Sequence, residues 1–264
     1  TIFQHVERFL RPKTLADVAD SSALVFLRTR LMEGRSPWTV KSYMGTLMAA
    51  LGWAVEIGYL PARPRLPRLK LPKVRAKGRP ITDREFYRML QATRHVVPHS
   101  PRHWRTVLWG LWLSALRLGE LMDLHWDDPL HIRPVWTESG HPVLEIPAEK
   151  QKSPRDDRIP LLPSFELLMQ KTPGREGYVF EFPGTLVPRV TVIEAGRIIS
   201  NIGEKAGVAV SHKKTASAHD LRRSCADRLL ASRVDPRVVQ RILRHSSLQT
   251  TEDYYAGQDV QRDA

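Results

Sequence analysis

The stretch PARPRLPRLKLPKVRAKGR, residues 61 to 79, most constrains how this chain can fold. Its four prolines lack a backbone N–H and fix φ, so the stretch can form neither a helix interior nor a central strand. It reads as an extended connector. On one side lie residues 1 to 60, patterned as helices; on the other, residues 80 to 264, a larger mixed region. The connector carries Arg63, Arg65, Arg68, Lys70, Lys73, Arg75, Lys77 and Arg79, and no acidic residue. Cations this dense repel one another until anions neutralise them, so the connector reads as a strap along DNA phosphates, with a solvated tether as the plain alternative. Residues 1 to 79 hold 15 Lys and Arg against 5 Asp and Glu, which places most of the net charge of +13 there. Such an excess favours nucleic acid over a membrane surface as partner, and no apolar run approaches the ~20 residues of a membrane span. The lone cysteine, Cys225, excludes an intramolecular disulfide framework, fits a reducing cytosol and reads as a buried apolar residue. The chain opens on Thr1 rather than Met, so an upstream segment is expected to be missing.

Periodicity supplies the elements. Ile2, Val6, Phe9 and Leu10 give a short amphipathic helix, and Asp20 or Ser21 caps another through Leu24, Phe26, Leu27 and Leu31. Ser36-Pro37 opens a third, whose stripe is Val40, Tyr43, Met44, Leu47, Leu51, Ala54 and Val55; Gly58 ends it. Beyond the connector, Thr82 or Asp83 caps a helix through Phe86, Leu90 and Ala92. Residues Trp104 to Leu116 predict a buried helix, with Trp104, Trp109 and Trp112 in the core. The runs His131 to Trp136, Val143 to Ile146 and Arg158 to Leu162 predict a small antiparallel sheet. Helices follow over 164 to 170 and Val190 to Ala206, then a basic loop, His212, Lys213 and Lys214, that either touches DNA or is solvated. The fold class is mainly α with a small antiparallel β-sheet.

The last third carries a chemical pattern, SAHDLRRSCADRLLASRVDPRVVQRILRHSSLQTTEDYY, residues 217 to 255. His219 and Arg222 stand at i and i+3 and leave one helix face. Asp235 as N-cap and Pro236 at the first position open a further helix that delivers His245 at its end, with Tyr254 after a short turn. Two imidazoles, a guanidinium and a phenol suit a phosphate.

HDLR, LRH and TTEDY in one ordered window resemble the signature of the tyrosine recombinases, the phage-integrase type of DNA strand-exchange enzyme. Tyr254 lies nine residues past His245, and Thr250 and Thr251 match as well. SALRLGELMDLHWDD, residues 114 to 128, resembles the family's first arginine box, with Arg117 on the motif's arginine and Glu120 placed to orient it. Lys152, eight residues before Pro160, fits the spacing of the family's hairpin lysine; Lys150 does not. Arg244 stands where the family usually has glycine, and Tyr255 adjoins Tyr254.

The resemblance implies residues 1–60 as a helical core-type DNA-binding domain, 61–79 as the linker and 80–264 as an α+β catalytic domain. It implies that Arg117 and Arg222, with His245 as a third donor, hold the non-bridging oxygens of a phosphodiester. Tyr254 then attacks phosphorus, His219 accepts the phenolic proton and Lys152 protonates the leaving 5′-oxygen. The product is a 3′-phosphotyrosyl enzyme that a 5′-hydroxyl can reverse without ATP. Double-stranded DNA is the expected partner, with a monomer in free solution, a homo-tetramer on paired sites and a cytoplasmic, nucleoid-associated location. Neither a metal nor a cofactor is called for: zinc-ligand spacing, GxxxxGK[ST] and GxGxxG are all missing from the sequence. A strand-swivelling topoisomerase of the same chemistry and a DNA binder that no longer cleaves are the other readings. Phage integration, mobile-element transfer and chromosome-dimer resolution stay equally open.

Overall fold

The computed structural model describes residues 1–72, 78–136, 138, 142–150, 156–172 and 174–244. The chain divides into two compact units, Thr1–Arg75 and Ala76–Ala264. Among the described residues no helix is long and apolar enough to cross a membrane.

The first unit is four helices, α1 (Ile2–Leu10), α2 (Leu15–Ala19), α3 (Ser21–Met32) and α4 (Pro37–Glu56). Their starts are set by local side chains. Asp20 Oδ1 accepts from the Ala23 N–H at 2.8 Å, and Ser36 Oγ from the Thr39 N–H at 3.2 Å, with Pro37 supplying a first-turn φ. Ile2, Val6, Leu24, Leu27, Leu31, Val40, Met44, Leu47, Leu51 and Ala54 form one core, with Tyr43 and Val55 at its margin. Phe26, expected on the α3 stripe, points outward. Helix α2 is too short to show a period and is set by a box in which Thr14 and Asp17 cap each other. The connector's first half lies on this unit. Leu66 and Leu69 pack against the core, Arg28 Nη1 donates to the Pro67 carbonyl at 2.5 Å, and Arg63 Nη2 to that of Met48 at 3.3 Å. Arg63, Arg65, Arg68 and Lys70 are exposed; Lys73, Arg75 and Lys77 lie outside the described residues.

The second unit runs α5 (Asp83–Val96), α6 (Pro101–Ser114), α7 (Leu118–Asp123), β1 (Arg133–Trp136), β2 (Pro142–Ile146), β3 (Asp157–Pro160), α8 (Pro163–Lys171), α9 (Val192–Lys205), β4 (Ala209–Ser211), β5 (Lys214–Thr215), α10 (Ala218–Ala231) and α11 (Pro236–Leu243). Strands β1, β2 and β3 form an antiparallel sheet in that order, with Pro134 opposite Leu144 and Leu144 opposite Ile159. From this sheet Leu144 and Ile159 meet Phe86, Trp104, Leu108, Leu111, Leu121, Phe165, Phe180 and Ile199 in one core. Trp104 and Trp112 are buried, Trp112 stacked on Phe86 at 4.3 Å, while Trp109 meets Phe86 edge-on at 4.8 Å and is half-buried.

Two local features depart from the sequence pattern. The helix expected to reach Leu116 stops at Ser114, because Ala115 turns left-handed with φ 57. The stretch 212–214, basic and loop-like in sequence, is the tip of the β4–β5 hairpin, and Lys214 Nζ is bound to Asp220 Oδ2 at 2.6 Å.

Candidate active site

The stop at Ala115 makes the site possible. It frees the Ala115 carbonyl from the helix ladder and redirects the chain so that Arg117 becomes the N-cap residue of α7. Glu120, one turn later, accepts from the Arg117 N–H through Oε2 and from Arg117 Nη1 through Oε1, both at 2.7 Å. The carboxylate thus closes the helix start and aims the guanidinium with one group. Arg117 remains about half exposed, its side chain 51% accessible.

Helix α10 packs along α6 and brings up the second arginine. Ser217 and Asp220 cap its start: Oδ2 of the buried Asp220 accepts from the Ser217 N–H at 3.0 Å and from Ser217 Oγ at 2.6 Å. Arg222 is buried, with 3% of its surface accessible. Its Nη1 donates to the Ala115 carbonyl at 2.5 Å and its Nη2 to the Leu243 carbonyl at the end of α11. Burial first, then the nearby Arg117 charge, pulls its pKa down to about 10, so it stays a cation at neutral pH. His219 occupies the first turn of α10, exposed on one side. Protein packed around its other side, then the charges of Arg223 and Arg222, hold its imidazole below the ordinary 6.5.

A third arginine joins them. Arg244 caps α11 in a left-handed conformation, φ 49, where the resemblance leads one to expect glycine. Its side chain, 8% accessible, turns inward to an ion pair with Glu120 Oε2, and its carbonyl accepts from Arg117 Nη2 at 3.5 Å. Arg222 Nη1 lies 3.7 Å from the same carboxylate oxygen. Burial pushes the Glu120 pKa up, but Arg244 and the bonds from Arg117 outweigh it and hold the carboxyl below 4.5. Three guanidiniums therefore surround one carboxylate, which leaves two positive charges uncompensated within this cluster. An oxyanion with several acceptor oxygens suits such a surplus better than any neutral ligand.

Of the six residues singled out by motif, Arg117, His219 and Arg222 are described, and the fold brings the two arginines onto one carboxylate. Lys152, His245 and Tyr254 lie outside the described residues, as do Thr250, Thr251 and Tyr255. Lys150 is accounted for: its Nζ is held by Asp123 Oδ1 at 2.8 Å, and the same oxygen meets His131 Nδ1 at 2.8 Å. Arg79 is engaged within its own unit, forked onto Glu85 at 2.8 and 2.6 Å and donating to the Ala209 carbonyl at 2.8 Å. Asp220 and Asp123 are the residues that sequence reasoning missed. Ser217-x-x-Asp220 is a capping-box spacing that could have revealed the first; no local signal marks the second.

The phage integrase family model matches residues 79–262 of this chain. Tyrosine recombinase XerA of Thermococcus kodakarensis is 28% identical over 191 residues, which cover 71% of this chain and 61% of that protein. Tyrosine recombinase XerD of Listeria monocytogenes is 25% identical over 240 residues, 89% of this chain and 76% of that one. The chain therefore spans about 61% of the length of XerA. Among solved structures, a lambda integrase dimer bound to a COC′ core site superposes with a TM-score of 0.66 at 17% identity, over 96% of this chain and 69% of that chain. XerH recombinase bound to its difH substrate gives 0.62 at 19% identity, over 96% and 72%. This fold, mostly helical with small antiparallel sheets, is the one seen here.

Proposed function

The chain belongs to the phage integrase family, and from that membership we propose that it is a site-specific DNA recombinase, cutting and rejoining DNA through a 3′-phosphotyrosyl intermediate with Tyr254 as nucleophile. The observation that carries the reading is the cluster of Arg117, Arg222 and Arg244 on the single carboxylate of Glu120. In-line displacement at a phosphodiester adds negative charge to the non-bridging oxygens, and prearranged guanidiniums stabilise that charge without reorganising. Arg117, the half-exposed member, approaches the phosphate from outside, and Arg222 from beneath. His245 is the third donor.

Tyr254 attacks phosphorus as the bond to the 5′-oxygen breaks. Its phenolic proton goes to His219, whose lowered pKa keeps the imidazole neutral and able to accept near pH 7. Lys152 gives the leaving 5′-oxygen its proton. Attack by a different 5′-hydroxyl on the phosphotyrosine reverses each transfer and reseals the strand.

Residues 1–60 act as the core-type DNA-binding domain, 61–79 as the basic linker and 80–264 as the catalytic domain. Lambda integrase has been solved as a dimer on a core site and as a tetramer on a Holliday junction. This chain, on the same reading, is a monomer in free solution and a tetramer on paired DNA sites, and works in the cytoplasm on the nucleoid or a mobile element.

Covalent trapping tests the reading. Nicked duplexes drawn from DNA flanking the chain's own gene are incubated with the protein and run on a denaturing gel beside Tyr254→Phe. An SDS-resistant protein–DNA band present in the parent and absent from the variant is expected. A band that survives the substitution moves the nucleophile to Tyr255. DNA binding with no adduct from either protein overturns the recombinase in favour of a binder.

A further inference from the structure

Arginine is an unfavourable choice at position 244. A residue with a Cβ is disfavoured at φ 49, and glycine fits there without strain. The guanidinium is buried, and among the described residues its Nε and Nη1 have no hydrogen-bond partner, which is a second cost. Replacement by glycine would relieve both. What the side chain gains is the ion pair with Glu120 Oε2. Around that pair the connections are dense. Glu120 binds Arg117 through its backbone N–H and its Nη1, the Arg244 carbonyl accepts from Arg117 Nη2, and the preceding Leu243 carbonyl accepts from Arg222 Nη2.

Building on the function proposed above, we propose that Arg244 is a positioning residue for strand cleavage. Its guanidinium completes the set of cations on Glu120, and Glu120 in turn fixes the fork of Arg117 toward the phosphodiester. The pair also ties the end of α11 to α7, so that the two carbonyls receiving the arginines keep their places. Without the Arg244 side chain, Glu120 is free to swing toward Arg222, now 3.7 Å away, and Arg117 loses its aim.

The test uses the full chain with Arg244→Gly and Arg244→Lys, trapped on the nicked duplex of its site. The glycine variant should unfold at an unchanged or higher urea concentration, since it removes the left-handed strain. Its adduct-forming kcat should fall roughly tenfold to a hundredfold, the cost of a misaimed group, while KM for DNA hardly moves. The lysine variant should recover most of the rate. A carbon-13 NMR titration of the Glu120 carboxyl should move upward in the glycine variant and back toward the parent in the lysine variant. Unchanged kcat in the glycine variant overturns the proposal. So does a raised KM with a salt slope of DNA binding shallower by roughly 0.9, because that marks a direct bond to phosphate. If the parent itself forms no adduct, the recombinase reading fails on its own. The Glu120 titration then decides the role of Arg244, and an unmoved midpoint overturns it.

Discussion

Arg79 shows what becomes of a cation once a basic run has folded. It belongs to the stretch whose charge suggests a phosphate strap, yet its fork is closed on Glu85 and the Ala209 carbonyl. The hydrogen bonds from Arg79 hold the Glu85 carboxyl down at about 2, against an ordinary 4.5. A carboxyl depressed in this way stabilises the fold at pH values above 4.5, and the contribution drains away as pH falls toward 2. Arg79→Ala should therefore destabilise by about 1 kcal/mol at pH 7, a modest figure because Arg79 is 45% exposed. In urea unfolding followed against pH, the gap between parent and variant should close below the ordinary carboxylate range. The same substitution should leave the salt dependence of DNA binding alone. A gap independent of pH would mean that Arg79 acts through packing of its stem instead.

At the scale of elements, helix α9 carries two glycines with opposite demands. A Cβ at Gly203 would stand 2.2 Å from the Ala216 carbonyl oxygen, a backbone atom that cannot step aside. A Cβ at Gly196 would meet only Leu118 Cδ2 at 3.7 Å, an ordinary van der Waals distance. Gly203→Ala should cost about 1–3 kcal/mol by prising α9 from the chain before α10, and Gly196→Ala should gain roughly 0.5–1 kcal/mol from helix propensity alone. Thermal melts of the two variants should move in opposite directions; equal shifts would mean that the approach at Gly203 relaxes freely. Local signals make most elements legible in the sequence. Asp20, Ser36 and Thr82 mark helix starts because a cap acts within three residues, and the alternation around Leu144 and Ile159 marks the sheet. The stop at Ala115 has no such signal, neither glycine nor proline, and the group its carbonyl accepts from, Arg222, stands 107 residues away. The motifs single out Arg117, His219 and Arg222 but not where their donors go. Arg222 is legible as the arginine of a motif and illegible as a buried group spanning two carbonyls, because Leu243 is brought to it only by the packing of α11. The turn at Arg244 is hidden for a related reason: its side chain is the wrong one for its backbone.

For the molecule as a whole, each unit has its own hydrophobic core, and the excess charge belongs mostly to the first unit and the connector. A fragment of residues 76–264 should therefore unfold cooperatively by itself and bind DNA with a weaker salt dependence than the full chain. Changing the exposed Arg65, Arg68 and Lys70 to glutamine in the full chain should lower the log–log salt slope by roughly 0.9 for each phosphate no longer neutralised. A slope that stays put would return the connector to the role of a tether. The two arginines of the site rest their inner donors on Leu243 and Arg244, the last two described residues of the chain. Chains are made and begin to fold from the N-terminus. While such a protein is being synthesised, Arg117 is made 127 residues before the Arg244 carbonyl and Arg222 is made 21 residues before that of Leu243. On the function proposed above, the half-made chain already carries most of its positive charge but not the carbonyls beneath its arginine cluster, so that cluster is completed only once Leu243 and Arg244 have been made.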